Sequence, residues 1–304
     1  MSQKFGQMSR YGAIAKALPH LGPQGKVFFV ASSSSAFTGD LTQFMHPDED
    51  GDTRTFTSLP SAITAAVASR GDVIVLLPGF TATCTGAGTI TVNKAGVTIV
   101  SLGEGNARAT ISYSTAVSAS FDITAANVTI DNVIFDMTGV DAITAGINVQ
   151  AAGVTIRNCR IINASASAQA TLCVLTNATA NRFSFIGNNV TGTSDAGTTA
   201  AVRIVGGDSI TVKDNFFSGA YSSGVGAVEN LTTATTNCNV DGNKINNLTA
   251  SSTKAMVFVA GSTGQISRNY MQILSGTAPI TGAAMSWVGA NYYAATIATA
   301  GTLI

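Results

Sequence analysis

Short apolar runs, each split by one polar residue, recur along most of this chain. Val97-Thr98-Ile99, Val128-Thr129-Ile130 and Val154-Thr155-Ile156 are followed by Phe183-Ser184-Phe185, Ile210-Thr211-Val212 and Cys238-Asn239-Val240. The third apolar position falls at 99, 130, 156, 185, 212 and 240, with Ile266 next, so the intervals are 31, 26, 29, 27, 28 and 26. Apolar–polar–apolar alternation is the period of a half-buried strand. Asparagine keeps nearly the same beat at Asn132, Asn158, Asn188, Asn215, Asn243 and Asn269, with intervals of 26, 30, 27, 28 and 26. Two features on one period mark an internal structural repeat.

A second strand is predicted inside each unit, at Gly146–Val149, Leu172–Leu175, Ala201–Val205, Val225–Val228, Ala255–Val259 and Ala284–Val288, bounded by turn residues. A unit of 26–31 residues with short strands and no helix cannot bury an apolar face alone. Stacked in register, such units share a continuous core. The pattern therefore predicts an all-β solenoid with apolar residues inside. The six asparagines are expected to stack at one corner as a structural ladder, exchanging amide hydrogen bonds from coil to coil.

Ahead of the repeats, residues 58–71 read as one amphipathic helix, with Ser58 as N-cap, Pro60 in the first turn and Gly71 as the stop. Leu59, Ile63, Ala66 and Val67 share its apolar face. A buried strand follows from Asp72 to a turn at Pro78 and Gly79. A helix there would cover the open first coil of the solenoid. The chain divides into an N-terminal docking arm (1–26), a lead-in strand with an acidic loop (27–57), the capping helix and first strand (58–79), and the solenoid (80–304).

The run SLPSAITAAVASRGDVIVLLPGF, then GVTIVSLGEG and the V-T-I-x-N coils, resembles the right-handed, single-stranded parallel β-helix proteins of the pectate-lyase-like group. The resemblance covers about residues 55 to 290 and implies that fold, with its N-terminal capping helix. The short lead and the strand GKVFFVASSS are similar to small β-helix proteins of tailed bacteriophages. One solenoid serves lyases, hydrolases, adhesins and virion parts, so function has to come from side chains.

Composition narrows the choice. Charged residues are 11%, and 16 basic side chains balance 16 acidic ones, so no net field recruits nucleic acid. Hydrophobic residues reach 45%, yet no run approaches the ~20 needed to cross a bilayer. The N-terminus lacks a signal-peptide core. Cys84, Cys159, Cys173 and Cys238 show no metal-binding spacing and read as small buried hydrophobes. The six N-x-S/T sequons are chance products of an Asn-, Ser- and Thr-rich composition.

Glycan cleavage on a solenoid needs two carboxylates flanking one bond. Asp131 and Asp136 lie near one strand. Asp214 and Asp241, 27 residues apart, are the best-placed pair, although turn acids explain them as well. Arg157, Arg160, Arg182 and Arg203 have no dense acid set around them to make a calcium-dependent lyase site. The run Asp48-Glu49-Asp50-Gly51-Asp52 lacks an acid at the twelfth position for an EF-hand loop. No catalytic residue, metal site or cofactor is expected.

The first 26 residues carry Lys4, Arg10, Lys16 and Lys26 with no acid, and interleave Phe5, Met8, Tyr11, Ile14 and Leu18 at near-helical spacing. That is a docking arm, or a frayed tail. Lys4, Phe5, Arg10, Tyr11, Ile14, Lys16 and Leu18 would carry the docking. The weakly charged C-terminal stretch, from Thr249 to Ile304, suggests cover by another chain, with a homotrimer as the expectation. The resemblance then implies a virion structural protein: a trimeric capsid decoration protein on the particle surface, assembled in the bacterial cytoplasm. Its partners would be itself, capsid or other virion proteins and, weakly, host surface glycans met by Tyr221, Tyr270, Tyr292 and Tyr293. The alternative is a tailspike or tail-fibre receptor-binding protein, or a polysaccharide depolymerase.

Overall fold

The computed structural model describes residues 25–31, 54–165, 168–195, 197–275, 278–282 and 284–294, and the backbone of Thr302–Leu303. The chain winds as a parallel β-solenoid of about eight turns. Each complete turn contributes one strand to each of three faces. The first face holds 11 strands, running from Thr55–Phe56 and Val27–Val30 through Val73–Leu76 and Thr98–Ser101 to Met285–Trp287. The second runs from Thr81–Cys84 and Thr110–Tyr113 to Tyr292–Ala294, and the third from Ile90–Val92 to Ile280–Thr281. Pairing between coils is parallel, and Thr302–Leu303 closes the second face with an antiparallel strand against Tyr292–Ala294.

Register explains the sequence period. Ile74, Ile99, Ile130, Ile156, Phe185, Val212, Val240 and Ile266 lie directly over one another as the inward column of the first face. The second face stacks Ile111, Phe135, Ile161, Val190, Phe217, Ile245 and Met271 in the same way. All belong to one buried apolar cluster that takes in Phe28 and Val30 of the lead strand and the capping helix and runs on to Met285. Each large aliphatic side chain so buried contributes roughly 1.5–3 kcal/mol, which no single coil could gather alone.

The second face was absent from the sequence reading, which found two strands per unit. Only a two-residue turn separates Thr129–Asp131 from Ile134–Asp136, and Thr155–Arg157 from Arg160–Asn163, so the alternation runs on as if through one strand. The expected inner strands fall on the third face, except Ala284–Val288, which adds Met285–Trp287 to the first.

The asparagine ladder exists, displaced by one residue at its start and extended at its end. Asn188, Asn215, Asn243, Asn269 and Asn291 are buried, and each Nδ2 donates to the Oδ1 of the next at 2.9–3.1 Å. The same oxygens accept the backbone N–H of the residue one coil earlier, as Asn215 Oδ1 does from Asn188 at 2.8 Å. One coil above Asn188, the matching position is Cys159, whose N–H donates to Asn188 Oδ1 at 2.9 Å. Asn132 and Asn158 stand one residue before that column, in a left-handed turn at φ 62° and 55°. Gly187, Asp214, Gly242 and Arg268 take the same turn position below them, each with positive φ. Asparagine tolerates that backbone, so the two copies served the turn rather than the ladder. At Gly242 the fit is tight, since a Cβ would stand 2.3 Å from Asp214 Oδ1.

The capping helix is shorter than expected. It spans Leu59–Ala65, with Ser58 Oγ accepting the Ser61 N–H at 3.3 Å and Pro60 in the first turn. Leu59, Ile63 and Ala66 are buried as read, but Val67 is exposed and Gly71 lies beyond the helix. Asp72 ends it. Its fully buried carboxylate accepts N–H groups from Val67 at 2.7 Å and Lys26 at 2.8 Å, and Arg70 clasps both oxygens. Burial alone would raise its pKa. The Arg70 guanidinium and the two backbone donors outweigh burial and hold the carboxyl below its ordinary value.

Candidate functional site

The best-placed acid pair does not sit on equivalent rungs. Asp241 pairs in register with Lys213, whereas Asp214 lies one residue further, in the left-handed turn opposite Gly242. Asp241 is the hub of an ion cluster: Arg268 binds both of its oxygens, Ser267 Oγ donates at 2.7 Å, and Lys213 Nζ stands 3.7 Å away. The Arg268 bonds do most to pull its pKa down to about 2. A carboxyl held there stays ionised and has no proton to give a leaving group near neutrality. Asp131 is likewise engaged by Arg157 and by Asn158 Nδ2 at 2.9 Å, and Asp136 by Thr138 Oγ1 at 2.6 Å. All four cysteines are buried, and burial pushes their thiols up to about 12.

Outward side chains of the second face form two parallel columns. One reads Arg160, Asn189, Phe216, Lys244, Tyr270 and Tyr292, and its neighbour Ile162, Thr191, Ser218, Asn246, Gln272 and Ala294. Strand alternation puts Lys244 and Asn246, or Tyr270 and Gln272, on the same outer surface. Phe216, Tyr270 and Tyr292 are 41%, 54% and 36% exposed, unusual for large apolar rings. The Tyr270 and Tyr292 rings stack with centroids 5.2 Å apart and planes 10° from parallel. Stacked face to face along the axis, they turn their edges and hydroxyls to the solvent.

Between the two columns lies a shallow groove of about 550 Å³, a size ordinary for small-ligand sites. Its walls are Phe216, Lys244, Tyr270 and Tyr292 on one side and Asn246 and Gln272 on the other. The side chains of Ile245 and Met271 point inward, so the floor is strand backbone. The polar groups around it have unused bonding capacity. Asn246 Oδ1 is buried without a partner. Among the described residues, the Lys244 ammonium, the Tyr270 and Tyr292 hydroxyls and the Gln272 amide make no hydrogen bond or ion pair. Rings beside amide and hydroxyl donors suit a ligand with apolar C–H faces and many hydroxyls.

Of the four tyrosines expected to meet glycans, Tyr270 and Tyr292 stand in this groove. Tyr221 is buried in the core and Tyr293 occupies an inward position on its strand. Phe216, Lys244, Asn246 and Gln272 went unrecognised in the sequence. Their signal was an outward i, i+2 pair on successive second-face strands, visible only once that face is known. The arm residues Lys4, Phe5, Arg10, Tyr11, Ile14, Lys16 and Leu18 lie outside the described residues, as does the acidic run Asp48–Asp52.

No protein-family model matches the chain, and no curated protein sequence matches it. Among solved structures it is similar to PfbA, a surface adhesin of Streptococcus pneumoniae, at 12% identity and a TM-score of 0.42, over 93% of this chain and 85% of that one.

Proposed function

We propose that this chain is a non-catalytic, surface-displayed β-helix that holds saccharides in the groove of its second face. The observation that carries the reading is the groove itself: exposed ring edges, two amides, two hydroxyls and an ammonium with unused hydrogen-bonding capacity among the described residues, laid along one sheet. A sugar ring offers hydroxyls to the amides and the tyrosine hydroxyls, and apolar contact to the ring edges. A groove open along its length holds an extended chain weakly, and several copies on one particle would multiply that grip.

The setting we propose is the surface of a phage particle, where the protein acts as a decoration protein docked by residues 1–26 and assembled as a homotrimer. Its support is the resemblance of the capping segment and lead strand to small phage β-helix proteins, with the uncompensated basic arm. Two measurements test the whole. The full chain should bind immobilised bacterial surface polysaccharide. Tyr270→Ala combined with Asn246→Ala should weaken that binding about tenfold without moving the unfolding midpoint, and equal binding by both proteins would end the groove reading. A chain lacking residues 1–22 keeps the Lys26 N–H bonded to Asp72. It should remain trimeric by mass photometry yet no longer sediment with emptied phage heads, and unchanged sedimentation would remove the arm's role.

A further inference from the structure

We infer that the saccharide taken by the second face is anionic, with its acid groups met in turn by Lys244 and Arg160 along a strip parallel to the solenoid axis. The inference rests on the saccharide reading above and adds the charge and direction of the ligand.

The column Arg160, Asn189, Phe216, Lys244, Tyr270 and Tyr292 is continuous in register. Its two cations stand three rungs apart, ~14 Å at the usual strand spacing of ~4.8 Å. Among the described residues, neither has a carboxylate partner. The Lys244 side chain makes no bond among the described residues, and Arg160 spends one N–H on Asn106 Oδ1 at 3.0 Å. Elsewhere on this solenoid, cations near acids are paired, as Arg157 is with Asp131, Arg203 with Glu229 and Arg268 with Asp241. No acid lines the groove. The acid on the neighbouring outward column is Asp136, one rung beyond Arg160, and Thr138 engages it through both its N–H and its hydroxyl. At the corner beside Phe216, Asp214 lies 4.0 Å from the Lys213 ammonium.

Ring geometry adds to the positive field. An aromatic ring is negative on its faces and positive at its edge. Tyr270 and Tyr292 stack face to face, so the ligand meets edges and hydroxyl protons. Ammonium, guanidinium, amide N–H groups and ring edges together form a line of donors. A neutral sugar takes only ordinary hydrogen bonds from the two cations, whereas a chain with acid groups on spaced rings makes the stronger charge-assisted ones. Separate charges at this spacing lie beyond one Debye length in physiological salt, so each acts as its own contact.

The test uses the full chain and two probes, a hyaluronan decasaccharide with a carboxylate on alternate rings and neutral chitohexaose, titrated by calorimetry at low and high salt. The expected result is about tenfold tighter binding of hyaluronan at low salt, with the preference shrinking as salt rises. Lys244→Gln and Arg160→Gln should each lower the hyaluronan-to-chitohexaose affinity ratio about three- to fivefold, the size of a partly exposed charged contact. Lys244→Arg should restore most of it. Tyr270→Ala should weaken both probes. Equal affinity for the two probes, or an unchanged ratio in Lys244→Gln, overturns the anionic inference while saccharide binding stands. Failure of both probes to bind overturns both.

Discussion

Asn188 and Cys159 occupy the same place in successive coils, and the contrast shows how finely this corner is tuned. Cys159 donates its backbone N–H to Asn188 and its thiol weakly to the Arg157 carbonyl at 3.2 Å, while each asparagine below satisfies a backbone N–H, an amide and a carbonyl at once. Deleting the Asn243 amide strands the Asn215 N–H and Nδ2 donors on one side and takes a donor from the Val212 carbonyl and Asn269 Oδ1, at roughly 1–3 kcal/mol for a buried group left unpaired. Asn243→Ala should therefore cost about 3 kcal/mol in urea unfolding. Asn132→Ala, in the half-exposed turn, should cost about 1 kcal/mol. Equal losses would mean that the ladder position is misplaced. The sequence could not settle the one-residue offset, because asparagine suits both a left-handed turn and a buried amide stack. The interval of 30 between Asn158 and Asn188, the longest of the series, was the trace of the switch. Asp241 makes a second residue-scale test. Its pKa of about 2 lies below the ordinary aspartate value of 3.8. Its stabilisation is thus complete above the unfolded value and is lost as pH falls through the folded one. Asp241→Asn should lower the urea midpoint at pH 7, with the deficit closing between about pH 4 and pH 2. A deficit independent of pH would assign the loss to packing instead.

At the scale of elements, the capping helix was legible through Ser58, Pro60 and its apolar face, and its end was not. Gly71 looked like the stop, but the buried Asp72 carboxylate captures the Val67 N–H and ends the helix at Ala65, a long-range arrangement that also ties in Lys26. Asp72→Ala should open the cap, leaving Arg70 and two backbone donors without their acceptor. Proteolysis should then begin between residues 54 and 72, with a loss of at least about 2 kcal/mol. Ser58→Ala, which removes one exposed cap bond, should cost only about 1 kcal/mol. If the two variants resist protease equally, the carboxylate is not what fastens the cap. The second face was the element most hidden from sequence. Its strands follow those of the first face after only two residues, and the short turn at Asn132 or Asn158 leaves no Gly-Pro signature between them.

For the whole molecule, the repeat period was enough to specify a parallel solenoid, because one 26–31-residue beat can be buried only by stacking. The groove could not be read the same way. It is made by residues 216, 244, 246, 270, 272 and 292, which become neighbours only through the exact number of residues in each coil, and one insertion would slide the column. Tyr270 and Tyr292 were visible as surface aromatics. The amides and Lys244 that give the site its polarity were ordinary residues until register aligned them. The most direct test is an experimental structure of the full chain with a bound acidic oligosaccharide. The expected result is ligand density along the second face, in contact with Tyr270, Tyr292 and Asn246 and passing Lys244 toward Arg160. Density along the first face beside Asp214 and Asp241, with the groove empty, would contradict it and move the search to carboxylate chemistry at that corner.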